Sequence, residues 1–170
     1  MVGNMASKME RLDRIDRRIL HQLQEHGRLP IVELANRVNL TKTPCAQRVR
    51  RLEQAGIIRG YRADLDPKQL GAGHVLVVLV TMEKTSEDAL DRFNEAVRLI
   101  PEVQGCYMVA GNFDYLLKVR THDIAHYRAV LVQQIGRLPN VHQTHSFVVM
   151  ELVKDEVTVP VPIDHVSWPE

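Results

Sequence analysis

The sequence predicts an α+β protein with an N-terminal winged helix-turn-helix domain and a C-terminal ferredoxin-like βαββαβ domain. Three observations predict this fold. Apolar residues recur at helical spacing in three consecutive segments of the first third, basic charge is concentrated in that third, and the remainder twice repeats the order strand, helix, strand. We expect domains at residues 1–63 and 74–154, a linker at 64–73 and an extended tail at 155–170.

Composition narrows the class of protein. The 170 residues are 45% hydrophobic and 25% charged, which is typical of a globular protein. Charge interrupts every apolar run before the roughly 18 residues that a membrane span requires, and residues 1–9 lack the apolar core of a signal peptide. Cys45 and Cys106 are too distant for a zinc motif. We therefore expect a cytoplasmic protein with two reduced thiols and no membrane association.

The charge is distributed unevenly along the chain. Residues 1–63 contain 13 Lys and Arg against 6 Asp and Glu, a balance of +7, whereas residues 64–170 contain 9 against 15, a balance of −6. This asymmetry indicates a polyanion-binding domain joined to a domain with another task. A solvated basic surface has the same composition, so the conclusion depends on where the arginines lie.

Two helices precede the candidate recognition helix. The first is predicted from Leu12 to about Gly27, with Asp13 and Asp16 in its opening turn, where acidic side chains favour a helix N-terminus. The second is short, and its spacing predicts four buried residues: Val32, Leu34, Ala35 and Val38. A short turn at residues 39–41 then leads into the third helix.

The third helix is predicted to begin with Thr43 as its N-cap and Pro44 as its first residue, and to end at Gly56. At 100° per residue, an apolar stripe of Cys45, Val49 and Leu52 faces inward. The opposite face contains Thr43, Gln47, Arg50, Arg51 and Gln54, with Arg48 on its flank.

That outer face has the chemistry of a major-groove reader. Arginine pairs with guanine, glutamine pairs with adenine, and a threonine methyl group contacts thymine. An ordinary solvated helix explains the same residues equally well, but the three-helix setting and the basic charge favour double-stranded DNA. Beyond Gly56, alternation at Tyr61–Leu65 predicts a strand, a wing from which arginines contact phosphate. The predicted DNA-contacting set is Thr41, Lys42, Thr43, Gln47, Arg48, Arg50, Arg51, Arg59 and Arg62.

The C-terminal domain is predicted to contain strands at 74–82, 103–109, 115–120 and 142–153, with helices at 87–100 and 124–138. Residues 98–104 and 137–143 resemble each other, since each ends a helix with leucine and proline and enters a strand with valine. The order is ferredoxin-like, a fold that supports many functions.

No catalytic set is visible in this domain. His122 and His126 lie four residues apart on a predicted helix without an HExxH pattern, so ordinary histidines explain them better than a metal site. Ser146 lies within a strand and lacks a nucleophile elbow. Glycine-rich nucleotide-binding motifs are also missing from the sequence. We therefore expect neither an enzyme nor a cofactor or metal.

Residues 109–115 form the most distinctive loop. Gly111 and Asn112 predict a tight hairpin. For Asp114 two interpretations remain open. Its carboxylate bonds the N–H groups of the turn, or it joins exposed hairpin amides in holding the charged ends of an amino acid. The apolar run at 147–150 predicts a strand covered on both faces, by helices on one side and a partner subunit on the other.

Taken together, residues 12–154 resemble the Lrp/AsnC (feast/famine) family of transcriptional regulators. The resemblance rests on LDRID at 12–16, TPC at 43–45, RVRRLE at 48–53, GY at 60–61, FDYLLK at 113–118 and VVME at 148–151. It implies a winged-helix domain and a ligand-binding (RAM) domain whose sheets pair into dimers, with dimers assembling into octamers or other higher oligomers. It further implies sequence-specific regulation of amino-acid metabolism, activation as one mode, and association with the bacterial nucleoid.

The resemblance also implies an amino-acid effector bound between dimers. The implied effector set is Met108, Val109, Ala110, Gly111, Asp114, Val148 and Val149. The chain departs from the leucine-responsive pattern at Met108, Ala110, Asn112 and Phe147, so leucine and proline are both candidates. The alternatives are an architectural DNA-binding protein that ignores small molecules and, less favoured, a small enzyme with a basic appendage.

Overall fold

A computed structural model describes residues 12–162, and the chain divides into two compact units. We call the first the head; its described residues are 12–64 and 156–162. The second, the body, comprises residues Leu65–Asp155. The head is thus discontinuous in sequence, because the chain leaves it at Asp64 and re-enters it at Glu156.

Three helices form the head: α1 (Arg14–Glu25), α2 (Ile31–Arg37) and α3 (Lys42–Gln54). They enclose a small apolar core that contains the predicted inward stripe of α3. The expectation that Val32 is buried is wrong, since it is 53% exposed, and Ile31 packs against the core instead. The buried core consists of Ile19, Leu34, Ala35, Val38, Cys45 and Leu52.

The helix ends follow from their local sequence. Asp13 caps α1 in a capping box with Asp16, in which each side chain accepts a hydrogen bond from the other's backbone N–H. The predicted N-cap of α3 is wrong, because Thr41 is the N-cap and Pro44 is the third helical residue. Proline is tolerated there because the first four helical N–H groups have no intrahelical acceptor. Gly56, at φ 68°, follows the end of α3.

The strand predicted at Tyr61–Leu65 is wrong: the described head contains no strand. Residues 59–66 are exposed and extended, and Gly60 has φ 151°. Alternating side chains alone do not make a strand, because its N–H and C=O groups need a neighbouring strand to pair with. None is available in the described head.

The body has the predicted βαββαβ order. Its elements are β1 (His74–Met82), α4 (Glu87–Val97), β2 (Val103–Met108), β3 (Tyr115–Thr121), α5 (Ile124–Gln133), a 3₁₀ turn (Ile135–Arg137) and β4 (Val141–Val148). The strands form one antiparallel sheet in the order β2-β3-β1-β4. Side chains alternate across it, and one face packs with α4 and α5 around Leu76, Val78, Phe93, Tyr115 and Leu117.

Several element ends differ from the prediction. Helix α4 ends at Val97 rather than 100. Pro101 disfavours helical geometry at the residue before it, Ile100, so the helix cannot continue to that residue. Helix α5 ends at Gln133, since Gln134 leaves helical geometry at φ −121° and a 3₁₀ turn follows. Strand β4 ends at Val148 rather than 153. Val148 pairs with Leu76, the Val149 N–H still donates to the Val75 C=O, and β1 begins at His74, so β1 has no residues opposite the last part of the predicted strand.

Both ends of the body meet at one guanidinium group. Arg120, on β3, donates from Nη1 to the carbonyl of Ala72 at 3.1 Å, and its Nη2 lies 3.6 Å from an Asp155 carboxylate oxygen. Lys118 donates to both oxygens of the same carboxylate at 2.5 Å. The first and last segments of the body are therefore held to the same sheet face.

Beyond Asp155 the tail segment, residues 156–162, is extended and contacts α1 within the head. The Gln24 side-chain amide forms two hydrogen bonds with the backbone of Val159, donating to its C=O at 2.9 Å and accepting from its N–H at 2.7 Å. Arg17 donates to the carbonyl of Pro162 at 3.4 Å. The described part of the expected tail, residues 156–162, contains no helix or strand and belongs to the head, while residues 163–170 lie outside the described residues.

Candidate DNA-contacting surface and effector site

The outer face of α3 presents three polar side chains that have no partner in the described part of the chain. Thr43, Gln47 and Arg50 are exposed, and within residues 12–162 their side chains have no hydrogen-bond or ion-pair partner. Lys42, one residue before Thr43, is exposed in the same way. These side chains are therefore available to an external ligand, as a groove-reading helix requires.

Arg48 and Arg51 lie on the same helix but are paired. Arg48 Nη1 donates to Asp13 Oδ2 at 2.5 Å and to Asp16 Oδ1 at 2.9 Å. Arg51 Nη2 donates to the other carboxylate oxygen, Asp16 Oδ2. The Asp16 side chain is 1% exposed, whereas Arg48 and Arg51 are 27% and 56% exposed. One buried carboxylate of α1 thus holds two arginines of α3.

The ion pair between Asp13 and Arg48 shifts the pKa values of both groups. Burial would raise the pKa of the Asp13 carboxyl, but the hydrogen bond from the Asp16 N–H and the Arg48 guanidinium outweigh it, so that pKa is lowered. Hydrogen bonds to Asp13 and Asp16 raise the pKa of Arg48. At neutral pH these groups are charged, and the cluster is an ion-pair network.

The segment after α3 contains the two remaining predicted phosphate contacts. Arg59 and Arg62 are exposed on extended backbone. Between them, Tyr61 donates its hydroxyl to Glu53 Oε1 at 3.0 Å, and burial together with that carboxylate raises the pKa of Tyr61 to about 12. The segment is thus anchored to the last turn of α3 although it forms no strand.

In the body, the loop between β2 and β3 is longer than the predicted tight hairpin. Six residues, Val109–Asp114, connect the strands, and the loop is closed by a hydrogen bond from Val109 N–H to Asp114 C=O at 3.0 Å. Neither Gly111 nor Asn112 has the positive φ that a type I′ turn requires. Ala110, Gly111 and Asn112, at the tip of the loop, are exposed.

Asp114 is held by β1 rather than by its own turn. Its Oδ2 accepts a hydrogen bond from the Met82 N–H at 2.7 Å, and its N–H donates to Val80 C=O at 2.9 Å. The contact lies where the pairing of β1 and β4 shifts register, between Thr81 and Met82. Oδ1 has no partner within residues 12–162, so one carboxylate oxygen stays available.

The predicted effector residues do not meet within one chain. Met108, Val109, Ala110, Gly111 and Asp114 lie near the Met82 end of β1. Val148 pairs with Leu76, and the Val149 N–H donates to Val75 C=O, both at the opposite end of β1. Six residues of strand separate the two groups, roughly 20 Å at 3.3 Å per residue. One chain therefore presents two separate halves of the predicted site.

The sheet face away from α4 and α5 is rich in apolar side chains. Val77 pairs with Phe147 and Leu79 with Leu116 on this face, and Phe147 is 54% exposed. Tyr107, at the β2 edge, is 57% exposed. Contiguous apolar surface of this kind is typical of an interaction site.

His122, just before α5, and His126, on α5, do not form a metal site with other described residues. His122 and His126 stack with ring centroids 3.9 Å apart, and His126 Nε2 lies 3.2 Å from Glu102 Oε1. Throughout the described range 12–162, no three metal-ligating side chains form a group that could hold an ion. The Ser146 hydroxyl bonds to Tyr127, a contact between β4 and α5. Over the same range, no helix is long and apolar enough to span a membrane.

Asp16 and the tail contacts were not anticipated from the sequence. Asp16 was expected only as an acidic residue in the opening turn of α1, yet it is the buried partner of two arginines. A signal was available in the matching spacing of Asp13 with Asp16 and of Arg48 with Arg51, three residues apart in each case. The Gln24 contact with Val159 has no local signal, because 135 residues separate the partners.

Comparisons with known proteins match both units. A family model described as winged helix-turn-helix DNA-binding matches residues 12–59, and one described as Lrp/AsnC ligand binding domain matches residues 75–159. The chain is 52% identical over 145 residues to a proline dehydrogenase transcriptional activator of Rhodobacter capsulatus, covering 85% of this chain and 94% of the relative. It is 47% identical over 154 residues to the leucine-responsive regulatory protein of Escherichia coli K12, covering 91% and 94%.

Solved structures agree with the sequence relatives. A crystal structure of a Neisseria meningitidis transcriptional regulator in complex with L-Met matches with a TM-score of 0.82 and 35% identity, covering 88% of this chain and 96% of that one. An AsnC family regulator from Agrobacterium tumefaciens matches with a TM-score of 0.84 and 36% identity, covering 88% and 97%.

Proposed function

This chain belongs to the Lrp/AsnC family of transcriptional regulators, and from that premise we propose that it binds specific duplex sites and responds to a small amino acid. It is a regulator rather than an enzyme, as its relatives are. The observation that carries the DNA-binding proposal is the outer face of α3, where Thr43, Gln47 and Arg50 are exposed together and have no side-chain partner among residues 12–162.

In the proposed complex, α3 enters the major groove. Gln47 and Arg50 contact base edges, because amide and guanidinium groups pair bidentately with adenine and guanine. Lys42, Arg59 and Arg62 contact phosphate, which supplies affinity without sequence information. Paired heads place two α3 helices in successive grooves, so the preferred site is pseudo-palindromic.

The proposed effector is a small apolar amino acid such as methionine, leucine or proline. Support comes from the L-Met complex of the Neisseria meningitidis regulator and from the names of the proline- and leucine-related relatives. In this chain the free oxygen of Asp114 would accept a hydrogen bond from the ligand's ammonium group, and N–H groups at the exposed tip of the loop, residues 110–112, would bind its carboxylate.

We further propose that the site is completed by a second chain. The loop half and the Val148 half lie at opposite ends of β1, so loop and strand residues meet only if they come from different protomers. The apolar face around Leu79 and Phe147 would bury against a partner sheet, giving dimers that assemble further, with an octamer as one arrangement. Ligand binding then alters assembly by its different affinity for the alternative states.

A duplex-binding assay tests the DNA contacts. A preferred site is first selected from a randomised duplex pool with the wild-type chain. Arg50→Ala should then weaken binding to that site by about 1–3 kcal/mol and weaken binding to a scrambled duplex much less. Equal losses on both duplexes would make Arg50 a phosphate contact only.

Thermal unfolding in the presence of each of the twenty amino acids tests the effector proposal. A ligand that binds the folded state raises the unfolding temperature, and the shift grows with its concentration. The solution mass should be recorded with and without the ligand that gives the largest shift. If no amino acid shifts either quantity, the chain is instead an architectural DNA-binding protein on the bacterial nucleoid.

A further inference from the structure

We propose that Asp16 is a specificity-determining positioning residue of the DNA-binding head, acting through Arg51. It holds one edge of the Arg51 guanidinium so that the other edge is oriented toward a base. The inference rests on the proposed DNA-binding function and extends it to a residue on α1, outside the recognition helix.

The geometry separates Asp16 from an ordinary surface carboxylate. Its side chain is 1% exposed, and its two oxygens accept from different arginines: Oδ1 from Arg48 and Oδ2 from Arg51. Asp16 also accepts from the Asp13 N–H within the capping box, which fixes it on the first turn of α1. The position of the Asp16 carboxylate is therefore fixed by the capping box at the start of α1.

Arg51 remains able to bind a second partner. A guanidinium has five N–H donors in a rigid plane, and Asp16 accepts from Nη2 alone. The Arg51 side chain is 56% exposed, and within residues 12–162 its other N–H donors have no hydrogen-bond acceptor. A base edge needs two of them for a bidentate contact. Fixing one side of the plane lowers the entropy lost when the other side binds.

The same contacts limit indiscriminate attraction to phosphate. Asp13 and Asp16 carry two negative charges against the two positive charges of Arg48 and Arg51. Non-specific affinity for DNA depends on the number of cations that neutralise phosphate. The network therefore lowers the non-specific affinity for DNA that Arg48 and Arg51 provide. It leaves the contact between the oriented Arg51 guanidinium and a base.

The test compares Asp16→Asn with the wild-type full-length chain. Dissociation constants are measured on the site selected from the randomised pool and on a scrambled duplex, at several salt concentrations. Asparagine keeps the size of aspartate and one side-chain oxygen that can still accept from the Asp13 N–H, but it removes the charge that holds the arginines. We expect affinity for the selected site to fall about tenfold, affinity for the scrambled duplex to rise, and its salt dependence to steepen by about one phosphate contact.

Two controls identify the route through Arg51. Asp13→Asn keeps the N-cap and leaves Arg51 paired, so discrimination between the two duplexes should stay within about twofold of wild type. In an Arg51→Ala background, Asp16→Asn should cause no further loss of discrimination, because the group on which it acts is gone. Equal losses in both backgrounds would overturn the proposal.

The outcomes separate this inference from the proposed function. If Asp16→Asn lowers the unfolding temperature and both affinities in parallel, Asp16 is only structural. If it does not fold, Arg51→Lys replaces it: lysine keeps the charge but lacks a second edge, so discrimination should fall about tenfold while scrambled-duplex binding remains. Retained discrimination in Arg51→Lys overturns the inference. A wild-type chain that does not prefer its selected site overturns the proposed function itself, and the inference with it.

Discussion

Asp114 offers the sharpest test of the body, because one side chain has a structural contact and a proposed ligand contact on different oxygens. Its Oδ2 accepts from the Met82 N–H at 2.7 Å, at the point where the pairing of β1 and β4 is irregular. Met82 is 6% exposed, so water has little access to that N–H. Two substitutions, Asp114→Ala and Asp114→Asn, separate the two contacts.

Asp114→Ala removes the acceptor and leaves a buried N–H donor unsatisfied. Such a loss costs about 1–3 kcal/mol, and we take about 2 kcal/mol because the acceptor is charged but only half-buried. A domain of under 100 residues loses about 4–8 °C of unfolding temperature per kcal/mol. The body should therefore unfold about 10 °C lower, measured by circular dichroism or calorimetry.

Asp114→Asn keeps a carbonyl acceptor for Met82 and removes the negative charge. Its neutral hydrogen bond is weaker than the charged one, so the loss should be about 1 kcal/mol and roughly 5 °C. The charge that would attract an amino acid's ammonium group is gone. Ligand affinity, measured by calorimetry with L-methionine, L-leucine and L-proline, should therefore fall about tenfold or more, while DNA binding persists.

The two readouts refute different parts of this reasoning. If Asp114→Ala unfolds at the wild-type temperature, water or a backbone group replaces the carboxylate at Met82, and the structural assignment is wrong. If Asp114→Asn binds the effector as tightly as wild type, Asp114 serves the loop alone and the ligand's ammonium group is held elsewhere.

Three further predictions concern stability. Leu52 is 1% exposed in the core of the head, so Leu52→Ala should destabilise the head by about 2–5 kcal/mol in denaturant unfolding and abolish DNA binding. Val32 is 53% exposed, so the control Val32→Ala should change stability by less than about 0.5 kcal/mol. Folding lowers the pKa of Asp13 from 3.8, so the ionised carboxylate stabilises the folded state above pH 3.8, and this stabilisation is lost as the pH falls through the lower folded pKa. Asp13→Asn should therefore make the free energy of unfolding depend less on pH in this acidic range. Tyr127→Phe should cost about 1 kcal/mol by removing the hydrogen bond to Ser146, and a double mutant with Ser146→Ala should lose less than the sum of the single losses.

The fold was largely predictable because periodicity reports which face of an element is buried. The spacing of apolar residues predicted that Cys45 and Leu52 face the core of the head, and the run of apolar residues predicted strand β1. Where a prediction failed, the missing information was nonlocal. The wing strand at Tyr61–Leu65 had suitable alternation but no partner in the described head, and most of the predicted extension of β4 lies beyond the first residue of β1, His74.

The candidate site was predictable as a set of residue types but not as a set of contacts. Projection of α3 onto a wheel put Arg50 and Arg51 on the same face, yet only Arg51 is paired, because Asp16 of α1 lies beside it. Likewise, sequence alone left two interpretations open for Asp114, and the backbone N–H that its carboxylate binds belongs to a strand 32 residues earlier. Such pairings depend on packing between elements.

The convergence of the two body ends on Arg120 bears on the order in which the chain folds. In an unfolded chain, joining Gln24 to Val159 closes a loop of 135 residues. Once the three helices and the body have formed, with Ala72 and Asp155 held at one guanidinium, only about ten flexible residues remain in that loop. The entropy of closure then falls by about 2 kcal/mol.

The tail should therefore dock last, as a late step that requires both units to be formed. Its amide hydrogens, that of Val159 above all, would then exchange with solvent whenever either unit opens. During refolding, the Val159 N–H should therefore become protected from hydrogen exchange only after the amides of the three helices and of the sheet have become protected.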